Sequence, residues 1–212
     1  MNTHEKFVIT ISREVGSGGR SIGRKLAEKL QVRFLDKQLI GELIRRFNLS
    51  AGEIERIKGK KSNWFSEFAA FVKAAPSQET LLGPSPAEYL VTTTEDIFRC
   101  EREILTAFAQ EGPCVIAGRS AFFVLKDEPN KLDIFIHASR EHRVERIVQK
   151  QGVSEEEALQ IIEKVDEGRE HFVKRFARVS RYDLRNYDLV LNMDNLSEDQ
   201  AVDLILQYIN PE

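Results

Sequence analysis

Gly16, Ser17, Gly18, Gly19, Arg20 and Ser21 have the types and the spacing to hold a phosphate. Glycines admit backbone conformations that other residues avoid, and so let N–H groups turn inward. A helix starting directly behind them adds unpaired N–H donors and the positive end of its dipole. Arg20 would supply a cation, and Ser21 a hydroxyl suited to Mg²⁺. Against the pattern G-x-x-x-x-G-K-[ST] the stretch differs twice: Glu14 stands at the first glycine and Arg20 at the lysine. The second exchange keeps the charge but replaces a compact ammonium with a planar fork. The plainer alternative is a glycine-rich turn with a solvated arginine.

Three other places offer ligand groups. Asp36 closes the short run Val32–Asp36, and strand ends are where α/β sheets present such groups. It is equally suited to cap the next helix, and the two roles are compatible. Arg119, after Gly118, follows the apolar run Cys114–Ala117 and can grip a phosphate with two parallel bonds; a surface arginine in a turn is the alternative. Asp166 and Arg169 open the densest basic segment, which continues through Lys174, Arg175, Arg178, Arg181 and Arg185. A solvated helix with ion pairs and a lid over a transferring phosphate both fit it. His4, His137, His142 and His171 have no metal-binding spacing, and no Ser/His/Asp set can be assembled.

The elements that would position these residues read as an alternation of strands and helices. Phe7–Ser12, Val32–Asp36, Cys114–Ala117, Leu132–Ile136 and Asp188–Asn192 are short apolar runs expected to be strands. Ile22, Leu26 and Leu30 recur as one buried helix face behind the glycines. A further helix is expected from about Lys37 to Phe47. Residues 48–111 show no convincing strand. They include an apolar stripe (Trp64, Phe65, Phe68, Phe71, Val72), a loop from Ala75 to Pro84, and a long helix ending at Gly112-Pro113. Capping boxes stand at Ser50, Ser85, Ser154 and Ser197. Ser139 is expected to cap a helix bearing Arg140, Arg143 and Arg146.

The 212 residues, net charge of −3 and 42% hydrophobic content suit one α/β domain with an inserted lobe. No apolar run approaches the ~20 residues of a membrane span, and the N-terminus lacks the features of a signal peptide. Cys100 and Cys114 have no C-x-x-C spacing and read as reduced thiols, with a cytoplasmic location expected. The mild acidity argues against bulk nucleic-acid binding. Oligomeric state is not legible.

The order of these features resembles a nucleoside monophosphate kinase, and most closely the cytidylate kinase-like family. Ile11–Arg20, Phe34–Lys37, Val115–Arg119 and Tyr187–Asn192 carry the resemblance, which spans nearly the whole chain in order and spacing. It implies a P-loop NTPase fold with a five-stranded parallel sheet. The core would comprise about 1–40 and 112–212, with a helical inserted lobe at about 41–111 and an arginine-rich lid at about 166–186. It implies ATP and Mg²⁺, with Gly16 to Ser21 on the nucleotide and Ser21 on the metal. Asp36, Arg119 and Asp166 would bind the acceptor, and Arg20, Arg119 and Arg169 would act in transfer. The chain departs from authentic cytidylate kinase at Arg20, where that enzyme has Lys. It also has Ala117 and Ser120 where acids surround the Gly-Arg turn, and Lys37 and Glu42 where Ser and Arg follow the second-strand Asp. The expected reaction is ATP-dependent phosphoryl transfer to a nucleoside monophosphate, CMP or dCMP foremost. A kinase for another small acceptor and a non-catalytic nucleotide-binding regulator are the alternatives.

Overall fold

The computed structural model describes residues 1–37, 39–40 and 94–210. The expected helix beyond residue 40, the aromatic stripe, the 75–84 loop and the caps at Ser50 and Ser85 lie outside them. Five strands form one parallel sheet in the order β2-β3-β1-β4-β5. They are β1 (Val8–Arg13), β2 (Arg33–Leu35), β3 (Cys114–Ala117), β4 (Lys131–His137) and β5 (Leu189–Asn192). Each falls on an expected run. β1 is displaced by one residue, so that Arg13 is its last member, and β4 gains a residue at each end.

Parallel strands are covered on both faces, which is why these runs are nearly all apolar. On one face lie α1 (Gly19–Leu30) and α6 (Glu198–Ile209). Ile22 and Leu26 of α1 and Val202 and Ile205 of α6 pack there with Ile9, Ile11, Ile134 and Ile136. α2 (Thr94–Gln110) buries Ile104, Leu105 and Phe108. Its end is fastened to β2 by Arg33, which donates to the Phe108 carbonyl at 2.8 Å and the Gly112 carbonyl at 3.1 Å.

A short α3 (Ala121–Val124) follows β3. α4 (Arg140–Gln151) and α5 (Glu155–Ala177) pack through Ile147, Ala158 and Ile162. Ser139, Ser154 and Ser197 accept the expected capping bonds from the backbone N–H groups of His142, Glu157 and Gln200. The C-terminal part of α5 meets the start of α2 through Phe98, whose ring lies 4.3 Å from that of Phe176 and 5.7 Å from that of Phe172. The segment expected as a lid is thus partly regular. Asp166 and Arg169 lie on α5, and the chain leaves the helix at Arg178 in a left-handed conformation.

Candidate active site

The glycine-rich loop joins the end of β1 to α1. Gly16 and Gly18 have φ of +84° and +85°, and Gly18 is the residue before the helix. Gly19 is required for a different reason. A Cβ there would stand 2.6 Å from the Cβ of Arg13. The first intrahelical bond is that from the Ile22 N–H to the Gly18 carbonyl. The N–H groups of Gly19, Arg20 and Ser21 therefore lack intrahelical acceptors, as at any helix start. A left-handed cradle feeding such N–H groups fits a phosphate chain. Ser17 differs from its neighbours. Its buried hydroxyl shares its single proton between the Glu14 carbonyl at 3.0 Å and the Ile136 carbonyl at 3.2 Å, so it braces the loop.

The loop is held from outside by a buried carboxylate. Asp166 accepts from the Val15 N–H at 3.1 Å, from Arg143 at 2.6 Å, from Arg169 at 3.1 Å and from Arg181 at 3.3 Å. Arg169 and Arg181 also donate to the Arg13 carbonyl. The backbone of Arg143 stands against Gly16, where a Cβ would meet its carbonyl at 2.8 Å. The guanidinium of Arg146, paired with Glu198, flanks Gly18. Helices α4 and α5 thus clamp both the entry and the turn of the loop.

On the other side of β1 the ends of β2 and β3 bring a second set of charges together. Asp36 takes up the helix-capping role and also pairs with the loop arginine. Its Oδ1 accepts from the Leu39 N–H at 3.1 Å, and its Oδ2 pairs with Arg20 Nε at 2.6 Å. The lysine-replacing arginine is therefore anchored to the second strand. Gly118, Arg119 and Ser120 have φ of +84°, +59° and +56°. Two non-glycine residues held in the left-handed region cost roughly 1–2 kcal/mol each, a strain typical of functional turns. Arg119 pairs with the buried Glu101 of α2.

Arg13 joins the two halves. Its stem packs on Gly19 and its guanidinium fills the space at Gly118, where a Cβ would lie 1.8 Å from Nη1. Burial, with Arg169, Arg119 and Arg181 nearby, pushes the Arg13 guanidinium down to about 9, against a smaller upward pull from Asp36. Arg169 is lowered by burial and by Arg181. Lys37 is lowered by burial and then by Arg119, with Arg169 and Arg13 contributing. Like charges brought this close destabilise one another unless an anion joins them. An arrangement of this kind, beside a phosphate loop, is chemically fitted to bind a second phosphate and to neutralise charge moving between the two.

The structure brings together Gly16, Gly18, Gly19, Arg20, Ser21, Asp36, Arg119, Asp166 and Arg169 around the ends of β1, β2 and β3. Four further residues, Arg13, Lys37, Glu101 and Arg143, join them without a site role expected from sequence. The first two carry a signal, since each stands at or just beyond a strand end. Glu101 and Arg143 are charges on helices and give none. Among the described residues no group of three or more His, Cys, Asp or Glu side chains could hold a metal ion. Ser21 in the first turn of α1 is the fitting protein group for Mg²⁺, a hard cation commonly bound through substrate phosphates and one or two protein oxygens.

Comparison with known proteins agrees with this geometry. Residues 8–195 match the model of the cytidylate kinase-like family. The cytidylate kinase of Methanopyrus kandleri is 27% identical over 96% of this chain and 93% of its own. That of Methanocorpusculum labreanum is 28% identical over 93% of each. Among solved structures, an uncharacterized protein from Eubacterium ventriosum superposes with a TM-score of 0.66 at 24% identity, covering 98% of this chain and 100% of that one. A shikimate kinase from Bacteroides thetaiotaomicron reaches 0.50 at 16% identity, over 96% and 97% of the two chains, and shares the fold. With a glycine-rich loop fitted to a phosphate chain, a converging set of arginines and a family match over most of its length, this chain belongs to the cytidylate kinase-like family and is a kinase.

Proposed function

We propose that this nucleotide kinase moves the γ-phosphoryl group of ATP to a nucleoside monophosphate, with CMP or dCMP as the acceptor. The observation that carries the proposal is the convergence of Arg13, Lys37, Arg119 and Arg169 beside the glycine loop. A loop for one phosphate chain next to a cationic site for another is what transfer between two nucleotides requires. An oxygen of the acceptor phosphate attacks the γ-phosphorus, and the bond to the β–γ bridging oxygen breaks. Such a transfer depends on alignment and charge neutralisation rather than on a protein nucleophile.

The loop N–H groups behind Gly16, Gly18 and Gly19 hold the β- and γ-phosphates of ATP. Arg20, steadied by Asp36, presents charge to the same oxygens. Arg119 orients the acceptor phosphate, and Arg169 meets the charge that develops between the two. Asp166 holds Arg169 and the loop in one frame, so its contribution is positioning. Mg²⁺, held through Ser21 and the phosphates, would offset the negative charge of the triphosphate.

The test is a panel of nucleoside monophosphates incubated with ATP and Mg²⁺, with formation of ADP and nucleoside diphosphate as the readout. CMP or dCMP is expected to give the highest kcat/KM. Transfer to a different small acceptor replaces the substrate and keeps the kinase. Tight ATP binding with no transfer to any acceptor favours the regulator.

A further inference from the structure

Glu101 has a polar atom that none of these contacts uses. It lies within α2, and its side chain is 5% exposed. Oε1 accepts from Arg119, while Oε2 is buried with no hydrogen-bond partner among the described residues. Buried polar atoms are nearly always satisfied, and an orphan calls for a reason. A carboxylate present only to orient Arg119 would be expected to satisfy its second oxygen within the protein.

The surroundings of Glu101 give the reason. Burial holds its carboxyl above the ordinary carboxylate range even though Arg119 and Lys37 pull it down. Those two cations belong to the convergent set at the ends of β2 and β3. The orphan acceptor thus sits beside the site best fitted to the acceptor's phosphate. An ionised carboxylate only accepts hydrogen bonds. It repels a second anion there and is satisfied by a donor carried on the same molecule as the phosphate.

We propose that Glu101 is a specificity-determining residue of the acceptor site, its Oε2 accepting a hydrogen bond from a hydroxyl or amino group of the nucleotide whose phosphate Arg119 holds. The proposal rests on the nucleotide-kinase reading above. A site built around an unpaired buried acceptor rejects a molecule lacking the matching donor, because the acceptor is then left unsatisfied.

The experiment measures kcat/KM for CMP, dCMP and UMP in the wild type, Glu101→Gln and Glu101→Asp, with ATP-induced melting shifts as the check that each variant folds and binds. CMP against dCMP isolates the sugar hydroxyl. CMP against UMP isolates the exocyclic amino group. In the wild type one of these ratios is expected to reach roughly 100-fold. In both variants the same ratio falls by about tenfold or more, while the ATP-induced shift persists. A purely structural Glu101 would lower all three rates alike and leave both ratios intact, which overturns the proposal. Equal wild-type kcat/KM for all three acceptors also overturns it, without any variant. Absence of transfer to every nucleoside monophosphate is a different result, and it refutes the nucleotide-kinase reading first.

Discussion

The two sides of β1 treat charge in opposite ways. On the α4–α5 side, Asp166 gathers Arg143, Arg169, Arg181 and the Val15 N–H, so the glycine loop is clamped before any ligand arrives. On the β2–β3 side, cations crowd one another, and one of the buried carboxylates among them, Glu101, keeps an oxygen without a hydrogen-bond partner among the described residues. The first is the more nearly finished network: it spends most of its charges on itself, although the buried Nε of Arg143 also lacks a hydrogen-bond partner among the described residues. The second is unfinished in a way that a phosphate-bearing molecule would complete. On the reading proposed above, a rigid cradle for the triphosphate beside an electrostatically open site for the acceptor suits an enzyme that must bind two anions side by side.

Removing the carboxylate from the finished side should have the larger effect on stability. Asp166→Ala leaves three arginines clustered with only Glu14, 3.6 Å from Arg143, as a counter-charge, a change worth about 3–5 kcal/mol. For a chain of this size that lowers Tm by roughly 6–20 °C, measurable by calorimetry. Glu163→Ala, at the exposed pair with Arg140, should change stability by no more than about 1 kcal/mol. Similar losses in the two variants would break the contrast. Arg119→Ala, on the unfinished side, should lower kcat/KM for the acceptor by about 2–4 kcal/mol of transition-state binding. ATP affinity, read from ligand-induced melting shifts, should be nearly unchanged. A collapse of ATP affinity would assign Arg119 to the clamped side instead.

The two sides were also unequally legible. The glycine spacing exposed the loop and its helix, because φ above zero and close approach leave glycine almost no substitute at Gly16, Gly18 and Gly19. The five strands stood out as apolar runs, since both faces of a parallel sheet are buried. Asp36 stands out at its strand end, and its capping role is seen at the Leu39 N–H. The Asp166 network was only half visible. Asp166 and Arg169 share a helix, but Arg143 comes from another helix and Val15 contributes a backbone N–H, which has no sequence signature. Glu101 lay hidden among the alternating charges of α2. Its burial follows from the docking of α2 on the sheet and on α5 through Phe98, and no local pattern encodes that. Arg13 was overlooked because its importance is steric. It explains why Gly19 and Gly118, ninety-nine positions apart, both have to be glycine.

The smallest effect sharpens the contrast through pH. Burial raises the Glu101 carboxyl above its unfolded value, and Arg119 opposes that rise. Between the ordinary carboxylate range and the raised folded value, the folded state binds more of this proton than the unfolded state. Stability from this group is therefore complete at acid pH and is lost as pH climbs through the folded value, with a slope of at most about 1.4 kcal/mol per pH unit. Arg119→Ala removes the nearest cation, which moves the folded value further up and extends the loss to higher pH. The Tm difference between wild type and Arg119→Ala should accordingly be least near pH 4.5 and widen toward neutrality. In a Glu101→Gln background, where nothing titrates at this position, the same difference should be flat across that range. Melting curves for the four proteins at several pH values decide it. A pH-independent difference in the Glu101 background would mean that Arg119 and Glu101 are not coupled as ion partners, and the acceptor side would lose its claim to be the charge-stressed half of the molecule.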